Sequence, residues 1–65
     1  MNQIQYIADG YNKDRERVVL WRLGNYSYQL EIAGKNTNFS AEYYTALERF
    51  KGSVVKITEN FAILA

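Results

Sequence analysis

Hydrophobic and polar positions alternate with a period of two along most of this chain and take up a helical period only once. In residues 3–8, Ile4, Tyr6 and Ala8 share one face and Gln3, Gln5 and Ile7 the other, which predicts a first strand. Asp9-Gly10 reads as the turn that ends it. Residues 12–16, Asn12-Lys13-Asp14-Arg15-Glu16, are polar and densely charged and predict an exposed loop or hairpin tip. Residues 17–23 predict a second strand, because Val18, Val19, Leu20 and Trp21 fit a pleated surface. Val19, Trp21 and Leu23 lie on one side and Val18, Leu20 and Arg22 on the other, so this strand is expected near the centre of a sheet. Gly24-Asn25 is expected to make a tight turn with positive φ. The third strand, residues 26–33, puts Tyr26, Tyr28, Leu30 and Ile32 on one face against Ser27, Gln29, Glu31 and Ala33 on the other. One apolar and one polar face is the mark of an antiparallel sheet covered on one side.

Gly34 to Asn38 is expected to be a loop. Ser40 then has the chemistry of a helix N-cap, with Phe39 and Tyr44 placed as a hydrophobic staple. The i, i+4, i+7 spacing of Tyr43, Leu47 and Phe50 predicts a helix over residues 41–51, ended by Gly52. Residues 53–58 predict another strand and residues 61–65 a short last one, or the two form a single bulged strand. The pattern predicts one α+β domain over residues 1–65: an antiparallel sheet of four to five strands with one helix packed on it, in the order β-β-β-α-β with a further β at the end. The expected core is Tyr6, Val19, Trp21, Leu23, Tyr28, Leu30, Ile32, Tyr43, Leu47, Phe50, Val55, Ile57 and Phe61.

Composition narrows the chemistry. A 65-residue chain without cysteine has no disulfide or thiolate zinc site to reinforce a small core. Without histidine it also lacks a proton shuttle near neutral pH and an imidazole ligand. Ser27, Ser40 and Ser53 therefore have no ready base, and Ser40 is better explained as a cap. The seven acidic residues are scattered, with no calcium-loop spacing. Lys51-Gly52-Ser53 has phosphate-loop residue types in the wrong order. No catalytic, cofactor-binding or metal-binding residue is expected, and the chain reads as a non-enzyme.

A net charge of +1 gives no basic footprint. Asn25-Tyr26-Ser27 and Asn38-Phe39-Ser40 match a glycosylation acceptor only as chance sequences, since no export signal or membrane-spanning run precedes or follows them; a cytoplasmic location is expected. Aromatic residues make up 15% of the chain, more than so small a domain can hide. Tyrosine offers a large contact area with a polar handle, which suits an interface. Gly10-Tyr11, Tyr26-x-Tyr28, Phe39-Ser40-Ala41-Glu42-Tyr43-Tyr44-x-Ala46-Leu47 and Lys51-Gly52 resemble the small KTSC domain of bacterial and phage proteins. This chain has a longer stretch before the helix and no proline at the helix start. The resemblance implies a short, strand-rich domain with one helix and brings no defined activity.

The expected function is therefore a small protein-binding module, an inhibitor or modulator of the phage or mobile-element kind that occludes a host protein. Its expected contacts are Tyr11, Arg15, Arg17, Arg22, Tyr26 and Tyr44, with the Lys35–Asn38 loop beside them. Two alternatives stand next to it. Aromatics and Lys13, Arg15, Arg17 and Arg22 around the second strand would suit single-stranded nucleic acid, and the apolar Phe61–Ala65 segment would suit a homo-oligomer.

Overall fold

The computed structural model describes residues 4–58. It is α+β: β1 (Gln5–Tyr11), β2 (Arg17–Gly24), β3 (Ser27–Ile32), β4 (Lys35–Ser40), α1 (Tyr43–Gly52) and β5 (Lys56–Ile57). The strands form one antiparallel sheet in the order β4-β3-β2-β1-β5, with β2 at its centre as its two-sided apolar pattern predicts. The helix carries the chain from the β4 edge to the β1 edge across one face.

That face holds the core. Ile7, Ala8, Val18, Leu20, Tyr28 and Leu30 from the sheet enclose Ala46 and Phe50 from the helix. Ile32, Tyr43, Leu47 and Ile57, also expected inside, are half-buried against this cluster. Phe39 stacks on Tyr28 with ring centres 6.0 Å apart, and the Arg49 guanidinium lies 4.5 Å above the Phe39 ring.

Several expectations are corrected. Asp9-Gly10 is not a turn: β1 runs through it to Tyr11, and both residues are buried. Gly10 is required by close approach, since a Cβ there would strike the main-chain oxygen of Lys56 in β5. The Gly34–Asn38 loop is largely the strand β4, so the additional strand comes before the helix. It follows a two-residue turn, Ala33-Gly34, in which φ is 51° and 85°. Positive φ at both positions is the hairpin geometry that matches sheet twist. Gly24-Asn25 does not supply it; the β2–β3 turn is Asn25-Tyr26, between the pair Gly24 and Ser27.

Ser40 closes β4 and does not cap the helix. Glu42 holds the N-cap position without a side-chain hydrogen bond. Gly52 is the last helical residue rather than a left-handed stop, and the Ser53 hydroxyl donates to the Arg49 carbonyl at 3.0 Å. Val55, expected in the core, is 74% exposed, because only Lys56–Ile57 pair with β1. Tyr6, Trp21 and Leu23 are half-buried outside the core cluster. Phe61 and the last expected strand, residues 61–65, lie outside the described residues.

Candidate binding surface

The hairpin joining β1 to β2 is built on Asn12. Its main-chain N–H donates to the Glu16 carbonyl, and its own carbonyl accepts from the Arg15 N–H, both at 3.0 Å. Its side-chain oxygen accepts from the Asp14 and Glu16 N–H groups at 2.9 Å each, and its Nδ2 donates to Glu16 Oε1 at 2.9 Å. Asparagine folds such a loop because its short amide imitates a backbone turn. The geometry places Arg15 at φ 65°, the position where hairpins of this length favour glycine.

Behind this hairpin, β5 holds to β1 through Val55 N–H donating to the Tyr11 carbonyl at 2.9 Å and Thr58 N–H donating to the Asp9 carbonyl at 3.0 Å. The two segments flank a concavity of ≈470 Å³ lined by Tyr11, Asn12, Lys13, Arg15, Val55 and Lys56. Tyr11 is 41% exposed at its wall.

The sheet face away from the helix carries a polar network. Asp9, only 6% exposed, is its centre. Its Oδ2 accepts from Arg17 Nε at 3.2 Å and lies 3.1 Å from the second guanidinium nitrogen. Its Oδ1 accepts from the Tyr6 hydroxyl and, at 2.6 Å, from the Thr58 hydroxyl. Burial pushes the Asp9 carboxyl up, but the Thr58 and Tyr6 hydrogen bonds and the Arg17 charge outweigh it, and the net shift is downward. The Tyr6 hydroxyl is pushed up to about 12, first by burial and then by its bond to the Asp9 anion. Tyr6 also meets Trp21 edge to face, with ring centres 6.0 Å apart, and Trp21 Nε1 donates to Glu31 at 3.0 Å.

The six expected contact residues fall at two ends of the sheet. Tyr11, Arg15 and Arg17 stand at the β1–β2 hairpin. Arg22, Tyr26 and Tyr44 stand at the opposite end, where the Ala41 N–H donates to the Tyr26 carbonyl at 3.0 Å and the helix begins. Arg17 is committed to Asp9. Arg22 is partly committed, its Nε donating to the Gly24 carbonyl at 3.1 Å. Tyr26 and Tyr44 are 65% and 77% exposed. Tyr44 packs edge to face on Tyr43, whose hydroxyl is pushed up by burial and by its tyrosine neighbours Tyr28 and Tyr44. The Lys35–Asn38 segment lines the outer edge of the sheet and does not join either group.

No family model matches the chain, and no curated protein or solved structure matches it. The KTSC resemblance thus stays one of residue types at turns, strands and the helix. Among the described residues, no three acidic side chains gather in a set that could hold a metal, and no helix is long and apolar enough to cross a membrane.

Sequence reasoning missed Asp9, Val55, Lys56 and Thr58 as surface-shaping residues. The signal for Asp9 was Tyr11 itself, which extends the strand pattern past the expected turn. Val55 gave none, since Val54-Val55 reads as strand core in any sequence.

Proposed function

We propose that this chain is a small non-catalytic protein-binding module that acts by covering a surface of a larger protein, as an inhibitor or modulator of a host factor would. One observation carries the reading: exposed Tyr11 and Val55 flank a concavity whose remaining wall is Asn12 and three cations. Apolar side chains left outside a small core beside polar groups are the usual anatomy of an interaction patch. The sheet face supports the same reading against the nucleic-acid alternative. Its aromatics are already engaged, the Tyr6 hydroxyl with Asp9 and the Trp21 indole N–H with Glu31, whose carboxylate would repel a phosphate backbone. The buried Asp9 offers little to catalysis, because both its oxygens are already engaged.

A photo-crosslinking residue placed at Tyr11 tests this in a lysate of the source cells. One dominant heterologous adduct at Tyr11, missing when the probe sits at Asn36 on β4, is the expected result. Adducts that are the same at both positions, or formed with nucleic acid, would overturn the reading.

A further inference from the structure

We propose that the concavity between the β1–β2 hairpin and β5 receives an acidic segment of the partner protein, with a bulky apolar side chain seated between Tyr11 and Val55. The inference rests on the protein-binding reading and names the chemistry of what is bound. Lys13, Arg15 and Lys56 all line the concavity, and among the described residues no carboxylate does. The whole chain carries only +1, so three cations around one depression are a local concentration rather than a share of a basic surface. Of the acidic side chains in and beside the hairpin, Glu16 accepts from Asn12 and Asp9 holds Arg17, while Asp14 lines the adjoining depression with Gly52 and Ser53 and not the concavity itself. A volume of ≈470 Å³ admits a large side chain and the backbone on either side of it.

Arg15 adds an independent argument. Its φ of 65° is a conformation that costs a residue with a Cβ and that glycine adopts freely. Among the described residues, its guanidinium makes no hydrogen bond or ion pair that would repay the strain. The strained position holds a cation at the rim of the concavity, where an incoming carboxylate would meet it. A run of phosphates fits less well, because exposed Tyr11 and Val55 offer a seat for a bulky apolar side chain, which a peptide carries and a phosphate chain lacks.

The test is an amide-shift titration of the full chain with three probes: a peptide alternating glutamate with leucine and phenylalanine, the same peptide with lysine for glutamate, and an oligothymidylate. The acidic peptide is expected to bind, with shifts at Tyr11, Lys13, Arg15, Val55 and Lys56, and to weaken as salt is added. The double variant Lys13→Glu, Lys56→Glu is expected to bind it about tenfold more weakly, the loss of two rim ion pairs. Arg15→Gly separates function from folding: it is expected to melt a few degrees higher and to bind less well. Equal binding of the lysine peptide, shifts centred elsewhere, preference for the oligonucleotide, or unchanged affinity in both variants would overturn the inference. A Tyr11 crosslink to a protein alongside a failed peptide titration would overturn the inference and leave the protein-binding reading standing.

Discussion

The Thr58 hydroxyl lies 2.6 Å from Asp9 Oδ1 and 2.9 Å from the Asp9 carbonyl, a pairing that ties β1 to the segment after β5 across forty-nine positions of sequence. One hydroxyl proton serves two acceptors, so the Asp9 anion draws its remaining stabilisation from Tyr6 and Arg17. A carboxylate this buried persists as an anion only with such partners.

Stability should therefore depend on pH at both extremes. The folded-state pKa of Asp9 is lowered, so its contribution is present above the ordinary carboxylate range near 4 and is lost as pH falls through the folded value. The folded-state pKa of Tyr6 is raised to about 12, so its contribution is complete below the ordinary tyrosine value near 10 and is lost as pH rises from there toward 12. Tyr6→Phe is expected to flatten the alkaline limb and to cost about 1–3 kcal/mol near neutrality, since Asp9 then loses a buried donor. Urea melts at pH 3, 7 and 11 on both proteins check this. An alkaline limb unchanged in Tyr6→Phe would assign the transition to another tyrosine.

The β3–β4 turn offers a gain in stability. Ala33 sits at φ 51° and Gly34 at φ 85°, and only Gly34 is free of a Cβ. An L-residue in the left-handed region costs roughly 1–2 kcal/mol, part of which glycine returns as unfolded-state entropy. Ala33→Gly or Ala33→Asn is expected to stabilise the domain by about 0.5–1 kcal/mol, raising the melting temperature by several degrees. Gly34→Ala should act in the opposite sense. Calorimetry on the three variants orders them.

The strand pattern made the α+β fold with one helix legible, because a period of two broken once by a helical spacing leaves few alternatives. The side of the sheet each β2 residue would face was not legible. A turn at Gly24-Asn25 would set Trp21 opposite Tyr28 and Val19 opposite Leu30, putting both under the helix; Val19 is buried as expected, at 5% exposure, but it pairs with Asp9 on the other face. The actual turn is one residue later, with a register shift between Arg22 and Gly24, so Leu20 faces Leu30 and Val18 faces Ile32. A one-residue slip exchanges the faces of a strand. A second shift, between Tyr6 and Ala8, puts both Ile7 and Ala8 in the core cluster and leaves Tyr6 beside Trp21. In the candidate site, Tyr11 and Arg15 were legible as a surplus aromatic and a loop cation. Val55 and Lys56 were not, because their position depends on a pairing with β1 that is far away in sequence.

Tyr28 gives a contrast within one side chain. It is wholly buried, stacked on Phe39, and its hydroxyl has no hydrogen-bond partner among the described residues. An unpaired buried hydroxyl carries a desolvation cost with no return. Tyr28→Phe is expected to be neutral or stabilising by up to about 1 kcal/mol, whereas Tyr28→Ala should cost about 3–5 kcal/mol through the cavity left in the core. Denaturant midpoints for the two variants decide it, and a clear loss in Tyr28→Phe would mean that the hydroxyl is satisfied in solution.

Gly10 links the fold to the binding surface most directly. It pairs with Val18 on one side and Ile57 on the other, and an added Cβ would meet the Lys56 oxygen and stand 3.1 Å from Ile57 Cα. Backbone, unlike a flexible side-chain end, cannot step aside cheaply. Gly10→Ala is expected to cost about 1–3 kcal/mol. The loss should concentrate where β5 meets β1, because β2 and β3 hold their own pairing without it. Amide exchange would then speed up at Val55 and Thr58, which donate to β1, while Leu20 and Leu30 stay protected. The same variant displaces Val55 and Lys56 from the concavity, so the acidic peptide should lose affinity in step with protection at Val55. Affinity that survives the loss of that protection would mean that the hairpin alone, through Tyr11, Lys13 and Arg15, makes the contact.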